Sequence, residues 1–257
     1  MNIRGAVAIV TGSSSVIGIG AEIAKLLGAR GCNVVVNYAG NKAGAEETAA
    51  LCRKGGAEAI TVQGDVSIDA DCRRLVKAAI DKWGRLDVLV NNAATTKPVK
   101  HNDLDALDAA EFQRIYSVNV IGAFQMMRAA GPHLKASGNG AVVNISSIGA
   151  FRAGGSSIAY TASKAALNNL TLALARVLAP EVRVNALCPG GLVGNWTRKI
   201  LPTEAEYQKR VQEAETKYPL RKPITPEDVA RAALWLIEDA STMTGEAIRM
   251  DSGQHLL

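Results

Sequence analysis

The chain contains 257 residues, of which 48% are hydrophobic and 21% are charged, and this balance predicts one globular α/β domain over residues 1–257. Its four cysteines show no CxxC pairing and its three histidines are scattered, so neither disulfides nor a metal site is predicted, and a reducing cytoplasm is expected. The net charge of +5 is spread over dispersed Lys and Arg with 4% aromatic residues, which argues against a nucleic-acid partner.

The first predicted unit is a strand over residues 7–10, a glycine-rich loop over 11–20 and a helix over 21–30 that ends at Gly31. The apolar run here is too short for a targeting peptide, and no run in the chain reaches the roughly 20 residues of a membrane span. A strand, glycine loop and helix in this order lay a pyrophosphate on backbone N–H groups at a helix N-terminus. We therefore predict a dinucleotide site with contacts from Gly12, Ser14, Ser15, Gly18 and Ile19.

The second predicted strand, over residues 33–38, bears on which dinucleotide is bound. A site that prefers NAD commonly has an Asp or Glu near the end of this strand, where it holds the ribose hydroxyls. Here the strand ends in Asn37 and Tyr38, and the next acid in the chain is Glu46. A 2′-phosphate is then not repelled, so Asn37, Tyr38 and Lys42 are predicted to contact NADP, with NAD less favoured. The alternative is that Lys42 is a solvated loop residue.

The remaining segments continue the alternation of helix and strand. Helices are predicted over 43–54, after the cap at 67–71 to about 83, within 104–134, over 158–179 and after Thr225. Strands are predicted over 59–66, 86–90, 141–146, 182–188 and 247–251. Continuous apolar strands are typical of a parallel sheet that is buried on both faces. The predicted fold class is α/β, a single-domain doubly wound parallel sheet (a Rossmann fold) with helices on both faces.

Three side chains near the strand at 141–146 and the helix after it indicate acid–base chemistry. Tyr160 and Lys164 are four residues apart on the helix, so they point the same way. An ammonium group beside a phenol favours the phenolate, so we expect Lys164 to lower the pKa of Tyr160 from about 10. Tyr160 can then exchange a proton with a carbonyl or hydroxyl oxygen that Ser147 holds by a hydrogen bond. The alternative is a chance pairing, since this spacing occurs on many helices.

The motifs of the chain, taken together, resemble those of the short-chain dehydrogenase/reductase family over nearly its whole length. They are the glycine loop at 11–20, Asp65-Val66, Asn91-Asn92-Ala93-Ala94, Ser147, Tyr160-Thr161-Ala162-Ser163-Lys164, Val184-Asn185 and Pro189-Gly190. The resemblance implies that Tyr160 is the general acid in carbonyl reduction, that Lys164 lowers its pKa and holds the nicotinamide ribose, and that Ser147 orients the substrate oxygen. Ser147 is preferred to Ser146 because it lies thirteen residues before Tyr160, a usual family interval. Asn119 would support the lysine through a water relay.

The resemblance also implies cofactor contacts and a quaternary structure. Asp65 would accept a hydrogen bond from the adenine amino group, and Asn91 would lie against the adenosine ribose. Residues 191–218 lie where the family has a mobile substrate lid. Members of the family form homotetramers through the helices around Asn119 and Tyr160 and through the last strand. Further cofactor contacts are expected from Val66, Asn92, Ala93, Pro189 and Gly190, in addition to Tyr160 and Lys164.

Three positions depart from the family pattern. Five residues separate Gly12 from Gly18, where the family usually has three, so the loop is two residues longer. The usual Asn-Asn-Ala-Gly motif ends in Ala94, which adds a methyl group near the cofactor. The threonine commonly found four residues after the Pro-Gly glycine is replaced by Gly194, so its contact with the nicotinamide carboxamide is lost or moved to Thr197.

These motifs predict an NADPH-dependent oxidoreductase that moves hydride to a ketone with Tyr160 as the acid, or the reverse with an alcohol. A 3-oxoacyl-(acyl carrier protein) reductase and a sugar or polyol dehydrogenase both fit the motifs. The turn at 36–39 also resembles that of hydroxynaphthalene-type reductases. The alternative from another class of protein is a catalytically silent regulator that binds a dinucleotide. The joint presence of the four expected catalytic residues argues against it: Asn119, Ser147, Tyr160 and Lys164.

Overall fold

The computed structural model describes residues 1–201 and 203–257, and a sheet of seven parallel strands lies at its centre. The strands are β1 Val7–Val10, β2 Asn33–Tyr38, β3 Ala59–Gln63, β4 Val88–Asn91, β5 Gly140–Ile145, β6 Val182–Pro189 and β7 Ala247–Met250. Their order in the sheet is β3-β2-β1-β4-β5-β6-β7, which reverses direction between β1 and β4. In a doubly wound sheet, this reversal opens a crevice at the carboxyl ends of the strands.

Helices cover both faces of the sheet. They are α1 Ile19–Ala29, α2 Lys42–Lys54, α3 Asp69–Trp83, α4 Ala109–Tyr116, α5 Ala123–Ala136, α6 Ile158–Leu178, α7 Asn195–Ile200, α8 Glu204–Lys217 and α9 Pro226–Glu238. In β1, Ala8 and Val10 face a core shared with α1, α2 and α9, whereas Val7 and Ile9 face a core shared with α3, α5 and α6. The predicted doubly wound α/β fold is therefore confirmed. Within the two described ranges, no helix is both long and apolar enough to cross a membrane.

The two largest differences between predicted and observed element bounds occur where polar side chains bond to nearby backbone N–H groups. The third strand ends at Gln63, before the predicted end at residue 66, and the Asp65 carboxylate then accepts a hydrogen bond from the Ser67 N–H at 2.9 Å. Helical sequence was predicted from residue 104, but α4 begins after Asp108, which caps it by accepting from the Glu111 N–H at 2.8 Å.

Between α4 and α5 the chain forms a π-helical segment, Ser117–Gly122, in the middle of the long predicted helix. Such segments are rare and often occur at functional sites. Asn119 lies in this segment and is only 1% exposed. Its side chain accepts from the Thr95 N–H at 2.8 Å and donates to the Thr95 carbonyl and the Ser163 hydroxyl, each at 3.0 Å. The segment therefore joins the loop after β4 to α6.

A buried polar relay fixes α6 against the sheet. The Asn91 side chain on β4 donates to Asn144 Oδ1 on β5 at 2.9 Å, and Asn144 Nδ2 donates to Thr171 Oγ1 on α6 at 2.9 Å. All three side chains are buried away from water, so they satisfy one another's hydrogen-bonding groups. The relay therefore positions the helix that carries the predicted acid–base pair.

Residues 191–218, predicted as a substrate lid, contain α7 and α8 and follow the carboxyl end of β6. α8 starts with a capping box in which the Thr203 hydroxyl accepts from the Glu206 N–H, and the Glu206 carboxylate accepts from the Thr203 N–H. Pro202, which belongs to the predicted lid, lies outside the described residues.

Replacing Thr171 with Val should lower the free energy of unfolding by about 1–3 kcal/mol, because the Asn144 side-chain N–H would stay buried without this acceptor. Urea unfolding followed by circular dichroism measures the change. Thr216→Val is the matched control, since the exposed Thr216 makes the same bond to the carbonyl four residues earlier. Equal effects of the two substitutions would contradict the role of the relay.

Candidate active site

A cleft of about 690 Å³ lies at the carboxyl ends of the strands, where the sheet order reverses. Its walls come from the loops after β1, β2, β3 and β4, from β5 and the loop after it, from α6 and from the predicted lid. The structure thus brings most of the predicted site residues together. Those that line the cleft are Gly12, Ser14, Ser15, Gly18, Ile19, Asn37, Asp65, Val66, Asn92, Ala93, Ser147, Tyr160, Lys164, Pro189 and Gly190.

The lengthened glycine loop leaves this cleft open. Gly12 has a φ of +60°, and a Cβ atom there would lie 2.8 Å from Ala93 Cα, so glycine lets the loop pass close to the segment after β4. The extra residues form a turn in which the Gly18 N–H donates to the Ser15 carbonyl at 2.6 Å. The side chain of Ile17 in this turn is 54% exposed. The turn takes up the extra length, and α1 begins directly after it.

The N-terminus of α1 is available to a negatively charged group. Its N-cap residue is Gly18, and no side chain of the described chain caps its first N–H groups. These groups have no partner within the helix and carry a partial positive charge. Ile19 and Gly20 line the cleft beside Ser14 and Ser15 of the loop. The residues present therefore fit the pyrophosphate of a dinucleotide.

The Asn37 side chain, predicted to contact a 2′-phosphate, is used inside the protein. It is 1% exposed, accepts from the Gly12 N–H at 3.0 Å and donates to the Gly64 carbonyl at 3.0 Å. These bonds join the end of β2 to the glycine loop and to the loop after β3. Asn37 therefore shapes the adenosine end of the cleft by holding two loops in place.

The surface that faces the cleft after β2 is small and uncharged. Ala39 and Gly40 line it, whereas Tyr38 is buried and Lys42 is exposed at the start of α2, and neither of these two lines the cleft. The predicted contact of Lys42 with a phosphate therefore stays a prediction that depends on the reach of its long side chain.

Of the residues expected around adenosine, one is turned away from the cleft. Asp65 lines the cleft, and both the N–H and the hydroxyl of Ser67 donate to its Oδ1, at 2.9 and 2.7 Å. Asn92 also lines it and donates to the Gly12 carbonyl at 2.9 Å. Asn91, expected against the ribose, does not line the cleft, because its side chain points into the core toward the buried polar relay.

The predicted acid–base residues meet in this cleft. Lys164 Nζ lies 5.6 Å from the centre of the Tyr160 ring. The Ser147 hydroxyl lies close enough to the Tyr160 phenol to lower its pKa. Ser147 Oγ also accepts from the Gly149 N–H at 3.1 Å, which fixes it in the loop after β5. Ser146, the neighbouring alternative, instead donates its hydroxyl to the Lys164 carbonyl at 3.2 Å. The geometry therefore pairs Ser147 with the phenol.

Lys164 is a buried cation without a carboxylate partner. It is 2% exposed, and its Nζ donates to the Ile145 carbonyl at 2.8 Å. It forms no salt bridge within residues 1–201 and 203–257, although a fully buried lysine is usually paired. Burial lowers the pKa of Lys164 to about 8. An ammonium group has three donors, so a ligand in the cleft can use those that Ile145 does not.

The pKa of Tyr160 shifts in the direction opposite to the prediction. Burial raises the pKa of the phenol above its ordinary value of 10.0, and the neighbouring Ser147 hydroxyl opposes this effect without cancelling it. The prediction considered the charge of Lys164, whereas the loss of water around the phenol dominates in the protein without cofactor. Tyr160 is therefore protonated at neutral pH, which is the form that donates a proton to a carbonyl oxygen.

Asn119 does not line the cleft but supports it from behind. Its side chain donates to the Ser163 hydroxyl, and this hydroxyl donates to the Tyr160 carbonyl at 2.6 Å. Asn119 is therefore placed as a positioning residue for the turn of α6 that carries the phenol. The water relay to Lys164 stays a prediction.

The site contains an aromatic contact that the sequence did not indicate. The ring centre of Trp196 on α7 lies 6.1 Å from that of Tyr160, with an interplanar angle of 37°. Trp196 was predicted only as a lid residue, because its contact with α6 depends on how α7 is placed by the fold. The contact covers one side of the phenol with an apolar ring.

The backbone explains why the usual threonine is absent at position 194. Gly194 has a φ of +135°, which L side chains rarely adopt, and a Cβ there would lie 3.3 Å from Pro226 Cγ. Thr197 lines the cleft three residues later, but its hydroxyl donates to the Leu192 carbonyl at 2.6 Å. The Thr197 hydroxyl therefore already donates its hydrogen bond within the protein and cannot donate a second one to a cofactor.

Known proteins match this chain over nearly its full length. A family model described as enoyl-(acyl carrier protein) reductase matches residues 12–255. A Streptomyces violaceoruber protein named as a ketoacyl reductase of the granaticin polyketide synthase is 45% identical, covering 98% of this chain and 96% of its own. Glucose 1-dehydrogenase 2 of Bacillus subtilis is 36% identical, covering 99% and 96%. A crystal structure of a short-chain dehydrogenase/reductase from Burkholderia xenovorans is 39% identical with a TM-score of 0.89, covering 98% of both chains.

The fold, the cleft and these matches define an oxidoreductase that uses a nicotinamide dinucleotide, NAD or NADP. The chain belongs to the short-chain dehydrogenase/reductase family. The resemblance inferred from the sequence motifs is thereby confirmed.

The pKa of Lys164 predicts how reduction depends on pH. The ammonium form supplies a positive charge and three N–H donors to the cleft, and it loses its proton as the pH rises through about 8. Tyr160 stays protonated over the same range, because burial raises its pKa. We therefore expect kcat/KM for the reduced dinucleotide to be constant below about pH 7 and to fall about tenfold per pH unit well above pH 8. Initial rates across this range measure the profile.

Lys164→Arg is the control for this assignment. Arginine keeps its charge at these pH values, so the residual activity of the variant should lack the alkaline decline. A decline at the same pH in both proteins would assign the titration to another group.

Proposed function

We propose that the protein is an NADPH-dependent reductase that converts a carbonyl group to an alcohol, or the reverse, with Tyr160 as the acid–base residue. The observation that carries this proposal is that the Ser147 hydroxyl, the Tyr160 phenol and the Lys164 ammonium group meet in one cleft. Two hydroxyl groups at one point can bind the same substrate oxygen, and one of them can transfer a proton to it.

In this mechanism, the chemistry that NADPH supplies when bound is hydride for the carbonyl carbon. Tyr160 donates its proton to the carbonyl oxygen, and the Ser147 hydroxyl holds that oxygen and stabilises its developing negative charge. The Lys164 cation stabilises the phenolate that remains after proton transfer. Trp196 packs beside the phenol and limits the access of water, and Asn119 holds the backbone turn in place.

The proposed preference for NADP is supported by the lack of negative charge after β2. Ala39 and Gly40 line the cleft there, and the next acid, Glu46, accepts a hydrogen bond from the Thr61 hydroxyl at 2.6 Å. A 2′-phosphate would therefore meet no carboxylate at this position. Lys42 at the exposed start of α2 is the nearest cation in the sequence and the proposed partner of the phosphate.

The substrate class that we propose is a 3-oxoacyl thioester. The name of the Streptomyces relative supports a ketoacyl group, and the description of the family model supports an acyl group on an acyl carrier protein. The second candidate is a sugar or other alcohol, which is supported by the name of the Bacillus relative. Both candidates use the same acid–base residue, so they differ in the substrate end of the cleft.

We further propose a cytoplasmic homotetramer with residues 191–218 as the substrate lid. Large apolar side chains stay exposed on α5, on α6 and on the π-helical segment, as expected for a surface that binds another subunit. These exposed apolar residues are Ile121, Phe124, Leu172 and Val177. Sedimentation equilibrium measures the mass of the assembly.

The four cysteines are buried free thiols, which fits the proposed reducing cytoplasm.

Replacing Tyr160 with Phe should lower kcat for ketone reduction by at least about 10²-fold, because the ring remains but the proton donor is lost. The affinity for NADPH should stay close to that of the wild type. NADPH consumption is measured on 3-oxoacyl thioesters, on simple ketones and on matched 2-enoyl thioesters, with alcohol oxidation beside them.

Tyr116→Phe is the matched control, because it makes the same change outside the cleft and should leave kcat unchanged. A Tyr160→Phe variant with full activity would contradict the assigned acid. Reduction of enoyl thioesters alone would contradict the carbonyl reaction.

Replacing Ala39 with Asp should lower the affinity for NADPH at least about tenfold and leave or improve that for NADH, because the new carboxylate repels a 2′-phosphate. Ala39→Asn has the same shape without the charge, and it should change the two affinities much less. Lys42→Glu should likewise weaken NADPH more than NADH. Fluorescence titration with both cofactors measures the four proteins, and equal losses for both cofactors would oppose the proposed preference.

A further inference from the structure

The substrate end of the cleft is lined by basic side chains that come from separate parts of the chain. Arg152 lies in the loop after β5, Lys199 on α7 and Arg210 on α8, and all three line the same cleft as Tyr160. β1, which leads into the proposed pyrophosphate site, is separated in the sheet from β6, which leads into α7 and α8, by β4 and β5. These cations therefore belong to the lid side of the cleft.

The guanidinium group of Arg210 has an unused donor inside the protein. Its Nε is buried, yet it has no hydrogen-bond partner within residues 1–201 and 203–257. Neither Arg210 nor Arg152 forms a salt bridge within these ranges, whereas Arg198 in the same lid pairs with Glu204. A buried donor without a partner costs free energy, so a ligand atom is expected to satisfy it.

The acids near these two arginines are occupied elsewhere. Glu213 pairs with Lys217 at 3.4 Å, and Asp251 pairs with His255 Nδ1 at 2.9 Å. Burial raises the pKa of Tyr218; Arg210 and Arg152 lower it, whereas Glu213 and Asp251 raise it, so two cations and two acids lie near this phenol. Neither acid lines the cleft, so the charged side chains that face it at this end are Arg152, Lys199 and Arg210.

Arg152 and Gln254 lie side by side at this end of the cleft. The exposed Arg152 side chain donates from Nη1 to the Gln254 carbonyl at 3.2 Å, which joins the loop after β5 to the C-terminal segment. The Gln254 side chain lines the cleft, and its buried Oε1 has no hydrogen-bond partner within the described ranges. Because the two ends of an amide side chain have nearly the same shape, Gln254 can present its NH₂ group to an anion by a rotation.

We propose that Arg152 and Arg210 bind an anionic oxygen group, a carboxylate or a phosphate, at the end of the substrate remote from the carbonyl. Arginine presents paired N–H donors that match the oxygen atoms of either group. This inference rests on the proposed carbonyl reduction and deepens it, because it states what the substrate carries beyond the reacting carbon.

The test compares charged ketones with neutral partners of the same carbon skeleton. One arm uses keto acids of increasing chain length, each beside its methyl ester, and the other uses acetoacetyl-4′-phosphopantetheine beside acetoacetyl-pantetheine, which lacks only the phosphate. In the wild type, at least one charged substrate should exceed its neutral partner at least about tenfold in kcat/KM, the size expected for a charge-assisted hydrogen bond. A preference in the first arm identifies a carboxylate, and one in the second identifies a phosphate.

Arg210→Gln and Arg152→Gln should each remove most of this preference through a higher KM, with kcat and the neutral substrate unchanged. Lys209→Gln is the matched control, because it removes one positive charge next to Arg210 from a side chain that does not line the cleft. The wild-type comparison and the Arg152 variant decide the question if the Arg210 variant does not fold. Equal kcat/KM for all charged and neutral pairs, or a preference that survives in both arginine variants, would overturn the proposal.

Calorimetry with the hydroxy-acid products and their methyl esters separates this inference from the proposed function, since it needs no turnover. Tighter binding of the acid that is lost in Arg210→Gln, without reduction of any ketone, would sustain the subsite while contradicting the reductase. Reduction of ketones without a preference for charged substrates would support the reductase and contradict the anion subsite.

Discussion

The site depends on the burial of an ammonium group without a counterion. Lys164 is 2% exposed and donates to the carbonyl of Ile145, the last residue of β5. Burying a charge in this way costs on the order of several kcal/mol, so other contacts must hold the side chain in place. The relay through Thr171 supplies part of that support by fixing α6 to the sheet. The chemistry of the cleft is therefore tied to the packing of the sheet beneath it.

The same constraint gives the cleft its electrostatic character. The first N–H groups of α1, the ammonium group of Lys164 and the Nε of Arg210 are positive groups whose hydrogen-bonding capacity the described chain does not exhaust. The pyrophosphate proposed at the first of these groups would accept hydrogen bonds that the described chain leaves unmade. Positive groups of this kind favour anionic ligands in the cleft.

The sequence predicted features that depend on local pattern and missed those that depend on burial. β2 covers residues 33–38 as predicted, because its continuous apolar run and flanking turns are local. The four-residue spacing of Tyr160 and Lys164 placed both in one cleft, because helix geometry fixes their direction. The raised pKa of the phenol, the π-helical position of Asn119 and the unpaired Nε of Arg210 could not be predicted, because each depends on which distant segments surround the residue.

The two extra residues of the glycine-rich loop are held in place by hydrogen bonds from neighbouring helices. Lys25 Nζ donates to the Val16 carbonyl at 3.3 Å, which ties the added turn to α1. Asn195 Nδ2 donates to Ser15 Oγ at 3.4 Å, which ties the turn to the start of α7. The next residue of α7 is Trp196, whose ring packs against the phenol. The hydrogen bond between Asn195 and Ser15 thus joins the glycine-rich loop to the helix whose Trp196 contacts Tyr160. The two extra residues of the loop therefore extend the wall of the cleft without closing it.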